Sequence, residues 1–308
     1  MHAFPSIVGH LAAQLAILVW LAGFASAAGH ARACQAQPCH IEAPDGGSYR
    51  LVWPPTMPAT GTLKPFVFYH GFNGSAAATA RNGALAAAVH AAGYILVVPN
   101  GPAIEWRGRI RRGWGGYAGA KARWGVDTLR YMERVMADVE RRTGAPANDA
   151  VHAGFSSGGS MAWYVACYGR PRARAFLPVA GGLRRPYPDR RASGPARTGV
   201  VCPGGPVPVM HVHGFSDTQV PLEGRSIGAW HQGDVFEGLD IARRTNGCAS
   251  RPDTVEAKGR LWCRGWTRCT SGEPLRMCLH PGGHSMPRGW LAEGLEWVQA
   301  LPRRRTTR

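Results

Sequence analysis

The segment Gly154-Phe155-Ser156-Ser157-Gly158 is the part of this sequence best suited to nucleophilic chemistry. A serine hydroxyl attacks a carbonyl only when a base takes its proton, and a sharp, uncrowded turn lets it stand clear of the chain. Glycine at 154 and 158 supplies that room. Ala150-Val151-His152-Ala153 reads as a strand and Gly159-Ser160-Met161-Ala162-Trp163-Tyr164-Val165 as a helix, so Ser156 falls at a strand-to-helix turn. The motif alone carries modest weight in a chain with 41 glycines; the flanking elements raise it. The frame selects Ser156 over Ser157, whose backbone N–H then becomes an oxyanion donor at a helix N-terminus, where negative charge is favoured.

The base and the group that orients it should follow in the order Asp or Glu, then His. Among the later histidines, His211 and His213 lie two apart on an expected strand and share a face, so they read as packing or hydrogen-bonding locally. His284 sits in the glycine-rich loop Pro281-Gly282-Gly283-His284-Ser285-Met286-Pro287 before the last helix, and is the candidate base. Asp217 follows the apolar run Val207 to Val212, where a carboxylate just past a parallel strand faces the reactive edge of a sheet. Asp234, Glu237 and Asp240 read as residues of a solvated helix, and Asp127 as a helix-start residue. A second oxyanion donor is expected from Tyr69-His70-Gly71-Phe72-Asn73-Gly74, with the N–H of Phe72 as the choice and Gly71 the alternative.

Positioning these groups needs strands that alternate with helices. Strands are expected over 65–69, 94–99, 150–153, 175–180 and 207–212, and helices over 76–92, 126–143, 159–168, 234–245 and 291–301. That alternation predicts an α/β fold, a mostly parallel sheet with helices on both faces. The stretch 107–123, rich in Gly, Arg and Trp, reads as a long loop.

All eight cysteines follow residue 27, and an apolar run in the first thirty residues ends in Ala25-Ser26-Ala27. Together these read as a removed export signal over 1–27, a single domain over 28–308, and disulfides. Cys34–Cys39 and pairing within the Cys248–Cys278 group are expected from proximity. The intervals do not fit zinc-ligand pairs, so no metal is expected. Formal net charge is +17, largely arginine. It reads as a solvated basic face with no specific nucleic-acid partner, since no recognition module interleaves aromatic and basic residues. No stable membrane insertion is expected once the signal is removed, and oligomeric state is not legible.

The ordered motifs His70-Gly71-Phe72, Gly154 to Gly159, His213-Gly214-Phe215-Ser216-Asp217-Thr218-Gln219-Val220-Pro221 and Gly282-Gly283-His284-Ser285-Met286-Pro287 resemble the polyhydroxybutyrate depolymerase-like and feruloyl or acetylxylan esterases. The resemblance spans roughly residues 61–297. It implies the α/β-hydrolase fold, an ester substrate, no cofactor, and Ser156, Asp217 and His284 as the catalytic set. Phe72 replaces the cysteine of the family's oxyanion loop, which spares the backbone N–H. Met286 stands where the family often has Trp, so substrate contacts should differ. No linker or binding domain follows the last expected helix, which favours hydroxyalkanoate oligomers or other short esters over granules. Plant cell-wall esters are the alternative, and a catalytically silent basic binding protein is a third.

Overall fold

A computed structural model describes residues 33–42, 46–58, 61–106, 108–116, 125–169, 173–184, 199–227 and 230–302. The expected export segment, and the arginines at 107, 185, 190, 191 and 303–305, lie outside the described residues.

The framework is a 10-stranded sheet in the order β1 (Cys39–Ile41), β2 (Gly47–Val52), β4 (Tyr94–Pro99), β3 (Lys64–Tyr69), β7 (Val151–Phe155), β8 (Ala175–Val179), β9 (Val209–Gly214), β14 (Leu275–His280), β13 (Leu261–Trp266), β12 (Thr254–Lys258), with β10 (Ser226–Ile227) and β11 (Trp230–His231) forming a separate short pair. Its centre is parallel: β4, β3, β7, β8, β9 and β14 run the same way. Both margins are antiparallel, with β1 and β2 at one side and β13 and β12 at the other. The central strands are apolar on both faces because each face is covered by helices. Successive residues alternate between two cores: Phe66, Phe68, Leu96 and Val98 enter one, Val67, Tyr69, Ile95 and Val97 the other. Helices α1 (Gly83–Ala91) and α5 (Trp290–Ala300) close the first core. Helices α2 (Thr128–Thr143), α3 (Ser157–Tyr168) and α4 (Val235–Asn246) close the second.

The expected sheet and covering helices are present, with three differences of detail. The alanine-rich stretch 76–92 is two helices, Ala76–Ala80 and α1, because Asn82 turns its side chain back to cap the Leu85 N–H. Residues expected as one loop include β6 (Arg109–Arg112), which pairs with β5 (Ala103–Trp106) in a hairpin. The marginal strands were not expected, since β12 is largely solvent-facing and shows no apolar run. Four disulfides are formed: Cys34–Cys39, Cys167–Cys202, Cys248–Cys269 and Cys263–Cys278.

Candidate active site

Ser156 sits between β7 and α3 with φ 59° and ψ −121°, a conformation rare for a residue with a side chain. The glycines around it are required by backbone crossings. A Cβ on Gly154 would collide with the Gly158 carbonyl, one on Gly158 with the Tyr69 carbonyl, and one on Gly159 with the Val179 carbonyl. The first turn of α3 therefore lies directly on the backbone of β3 and β8. The Ser156 N–H donates to the Val179 carbonyl at 2.9 Å, which pins the turn.

Asp217 and His284 enter from the carboxyl ends of β9 and β14, which are parallel neighbours. Their loops are stitched together: the Phe215 N–H donates to the His280 carbonyl at 2.8 Å and the Ser216 N–H to the Gly282 carbonyl at 3.1 Å. Gly214 packs so closely on the carbonyls of Gly282 and Gly283 that a side chain there would not fit. The result is a linear chain. Asp217 Oδ2 lies 2.7 Å from His284 Nδ1, and His284 Nε2 lies 2.9 Å from Ser156 Oγ. An ionised carboxylate only accepts, so Nδ1 carries the imidazole proton and Nε2 presents its lone pair to the serine hydroxyl. Asp217 is buried, and its other oxygen accepts from the N–H groups of Gln219 (2.9 Å) and Val220 (2.8 Å). The Phe155 ring packs against the His284 imidazole at 4.8 Å between centroids.

The loop after β3 closes the other side. At Gly71 an added Cβ would stand 3.7 Å from Ser156 Cβ, so this loop abuts the nucleophile turn. His70 anchors it: its Nε2 accepts the Gly101 N–H at 2.9 Å, which leaves Nδ1 to donate to the Gly71 carbonyl at 2.8 Å. Burial lowers the His70 pKa, in keeping with the neutral ring this pattern needs. Trp114 Nε1 donates to the His70 carbonyl at 2.8 Å, and the Asn73 N–H donates to the Arg112 carbonyl at 2.7 Å. The stretch expected as a long loop is thus the clamp on the Phe72 loop. Ser157 opens α3 immediately after the nucleophile turn. Phe72, Phe215 and Met286, from the three loops that surround Ser156, are exposed by 47%, 66% and 38%.

Behind Asp217 lies a chain that residue types alone suggested only in part. Trp163 Nε1 donates to His211 Nδ1 at 3.0 Å, His211 Nε2 meets His213 Nδ1 at 3.0 Å, and His213 Nε2 meets the Val220 carbonyl at 2.8 Å. The local pairing of the two histidines was legible from their spacing. Trp163 was not, because it belongs to α3, 48 residues away. Among the described residues no group of three or more His, Cys, Asp or Glu side chains is arranged to hold a metal ion, and no helix is long and apolar enough to cross a membrane.

No protein-family model matches the sequence. Several curated relatives do, two of them as follows. A probable feruloyl esterase C of Aspergillus niger is 25% identical over 198 residues, covering 62% of this chain and 56% of the relative. The putative esterase NocK of Nocardia uniformis subsp. tsuyamanensis is 30% identical over 246 residues, covering 78% of this chain and 63% of the relative. The chain therefore spans less than two thirds of either relative's length. Among solved structures, an acetyl xylan esterase from Aspergillus awamori superposes with TM-score 0.58 at 14% identity, over 85% of this chain and 99% of that one. An S-formylglutathione hydrolase from Agrobacterium tumefaciens gives 0.52 at 12%, over 86% and 95%. The chain has the α/β-hydrolase fold, and its sequence is distantly similar to a probable feruloyl esterase and a putative esterase.

Proposed function

We propose that this chain is an exported serine esterase in which Ser156 is the nucleophile, His284 the base and Asp217 its orienting carboxylate. The observation that carries the reading is the unbroken contact from Asp217 Oδ2 through His284 to Ser156 Oγ, at 2.7 and 2.9 Å. Ser156 Oγ attacks the ester carbonyl carbon as its proton passes to His284 Nε2. Asp217 holds the ring and stabilises its cation. The N–H groups of Phe72 and Ser157 receive the developing oxyanion, each worth about 3 kcal/mol. Collapse breaks the carbonyl–alkoxy bond, and the departing alcohol takes the proton from Nε2. Water then adds to the acyl-serine by the same path, releasing the acid and restoring the hydroxyl. No cofactor enters these steps. Export is supported by the four disulfides and by the apolar run that ends at Ala27.

For the substrate, the probable feruloyl esterase among the relatives favours feruloyl esters over hydroxyalkanoate oligomers. The exposed apolar side chains of Phe72, Phe215 and Met286 suit an aryl acyl group laid over the serine. A hydrolysis screen separates the classes: methyl ferulate should turn over faster than 3-hydroxybutyrate oligomers. Faster release from the oligomers would reverse the order. Loss of all p-nitrophenyl acetate hydrolysis in Ser156→Ala supports the nucleophile, and retained turnover sinks it.

A further inference from the structure

From the buried polar chain behind the acid we infer that His213 is a positioning residue for Asp217, aimed by Trp163 through His211. The inference rests on the esterase reading above.

The direction of the chain is set at one end. An indole nitrogen only donates, so the Trp163 N–H must point at His211 Nδ1, and that atom must be the acceptor. In a neutral ring the proton then sits on His211 Nε2 and is donated to His213 Nδ1. His213 in turn carries its proton on Nε2, 2.8 Å from the Val220 carbonyl and 3.4 Å from Asp217 Oδ2. The Val220 backbone completes the arrangement, since the N–H of the same residue donates to Asp217 Oδ1. One imidazole N–H thus fixes the carbonyl of the residue whose own N–H, in the preceding peptide unit, holds the carboxylate, and it places a positive dipole end beside the oxygen that faces His284.

Both rings are completely buried, and the cost of burying a cation lowers the pKa of each. The titratable groups that reach His213 are His211 on its own strand, Asp217 on the following loop, and His280 and His284 from β14 and the loop after it. From helix α3 the uncharged Trp163 meets His211. A second proton on His213 would meet the His211 N–H head on. The chain therefore keeps His213 neutral and turned one way, and its contribution to Asp217 is a fixed dipole.

Removing that dipole has a signed consequence. A carboxylate without that positive dipole end beside it is more basic and holds the imidazolium of His284 more tightly. Protonated His284 then persists to higher pH, and the acidic limb of the kcat/KM profile moves up. The experiment is that profile, with p-nitrophenyl acetate, for the wild type, His213→Leu, His213→Gln and Trp163→Phe, with thermal melts alongside.

In His213→Leu the limb should rise by about half a pH unit, roughly a threefold loss of kcat/KM near pH 5, with KM unchanged. His213→Gln, whose amide restores a donor near the Nε2 position, should return it toward the wild type. Trp163→Phe should move it in the same direction by less. A purely structural role predicts lower melting temperatures and activity scaled down equally at every pH, with the limb in place; that result overturns the inference. If His213→Leu does not fold, an unmoved limb in Trp163→Phe overturns it equally. A wild type inactive on this ester rejects the esterase reading and this inference with it, whereas an active wild type with an unmoved limb rejects the positioning role alone.

Discussion

The parallel centre of the sheet and its antiparallel margins are held together in different ways. In the centre, β3, β7, β9 and β14 each end in a loop that reaches the serine, and the fit depends on glycine backbone crossings at 154, 158, 159 and 214. The margins bring no side chain to the Ser156–His284–Asp217 chain. Cys34–Cys39 lies at the β1 edge, and Cys263–Cys278 ties β13 to β14. Cys248–Cys269 joins the segment after α4 to the segment after β13, closing a loop that contains the β12–β13 hairpin. Covalent bracing thus falls mainly on one edge and the opposite margin, while Cys167–Cys202 anchors the far end of α3 and Cys278 ties β14 to its marginal neighbour. Short strands with an exposed outer face bury too little to hold themselves, whereas β3, β4, β7, β8 and β9, covered on both sides, carry no cross-link.

Substitutions in each region test that difference. The largest effect should come from Ser156→Ala, which removes the proposed nucleophile while leaving the turn intact. Hydrolysis of p-nitrophenyl acetate should fall by about a millionfold, with the melting temperature nearly unchanged. A large drop in melting temperature would show that chemistry and fold are not separable at this residue. Gly158→Ala should damage both, because the added methyl meets the Tyr69 carbonyl, part of a strand that cannot move aside. A loss of about 3 kcal/mol in urea unfolding is expected, together with most of the activity. The margin should respond in the opposite sense. Replacing Cys248 and Cys269 by Ala opens a loop of 21 residues and should cost about 3 kcal/mol, with kcat/KM unchanged on the protein that remains folded. A matching loss of kcat/KM there would mean that the margin helps to shape the site.

The same division explains what was legible in the sequence. Strands β3, β4, β7, β8 and β9 stand out because burial on both faces makes them continuous apolar runs. Ser156 stands out because its glycines answer local backbone demands. Asp217 and His284 follow from order along the chain once a parallel sheet is assumed. Strand β12 is hidden because most of its residues face solvent, and the β5–β6 hairpin because three of the four residues of β6 are arginines that read as loop. The Trp114 clamp on His70 and the Trp163 donor to His211 join residues 44 and 48 apart. Neither has a local signature, since a buried Trp serves equally well as plain core. Of the disulfides, Cys34–Cys39 and the pairing within the late group follow from proximity. Cys167–Cys202 bridges α3 to a distant loop and depends on the tertiary fold.

The smallest effect concerns pH, and it sharpens the contrast because the buried histidines belong to the centre. His152 on β7 is enclosed, accepts or donates only through Nδ1 to the Tyr69 hydroxyl at 2.8 Å, and is pushed by burial down to about 3. Its unfolded-state counterpart takes a proton near pH 6.5. Between these values the unfolded chain binds the extra proton, so unfolding free energy rises with pH and falls as the solution is acidified. The full contribution is present above pH 6.5 and drains by about 1.4 kcal/mol per pH unit below it. His70, His211 and His213 are shifted in the same direction by the same cause and add to the slope. Urea unfolding at pH 7 and at pH 5 should therefore give a lower free energy at pH 5. In His152→Phe, which keeps the stacking between Tyr69 and Phe176 but cannot titrate, the difference should shrink by one proton's share. An unchanged pH slope in that variant would mean that His152 is protonated in the folded protein, and that the centre of the sheet is less dry than its apolar strands imply.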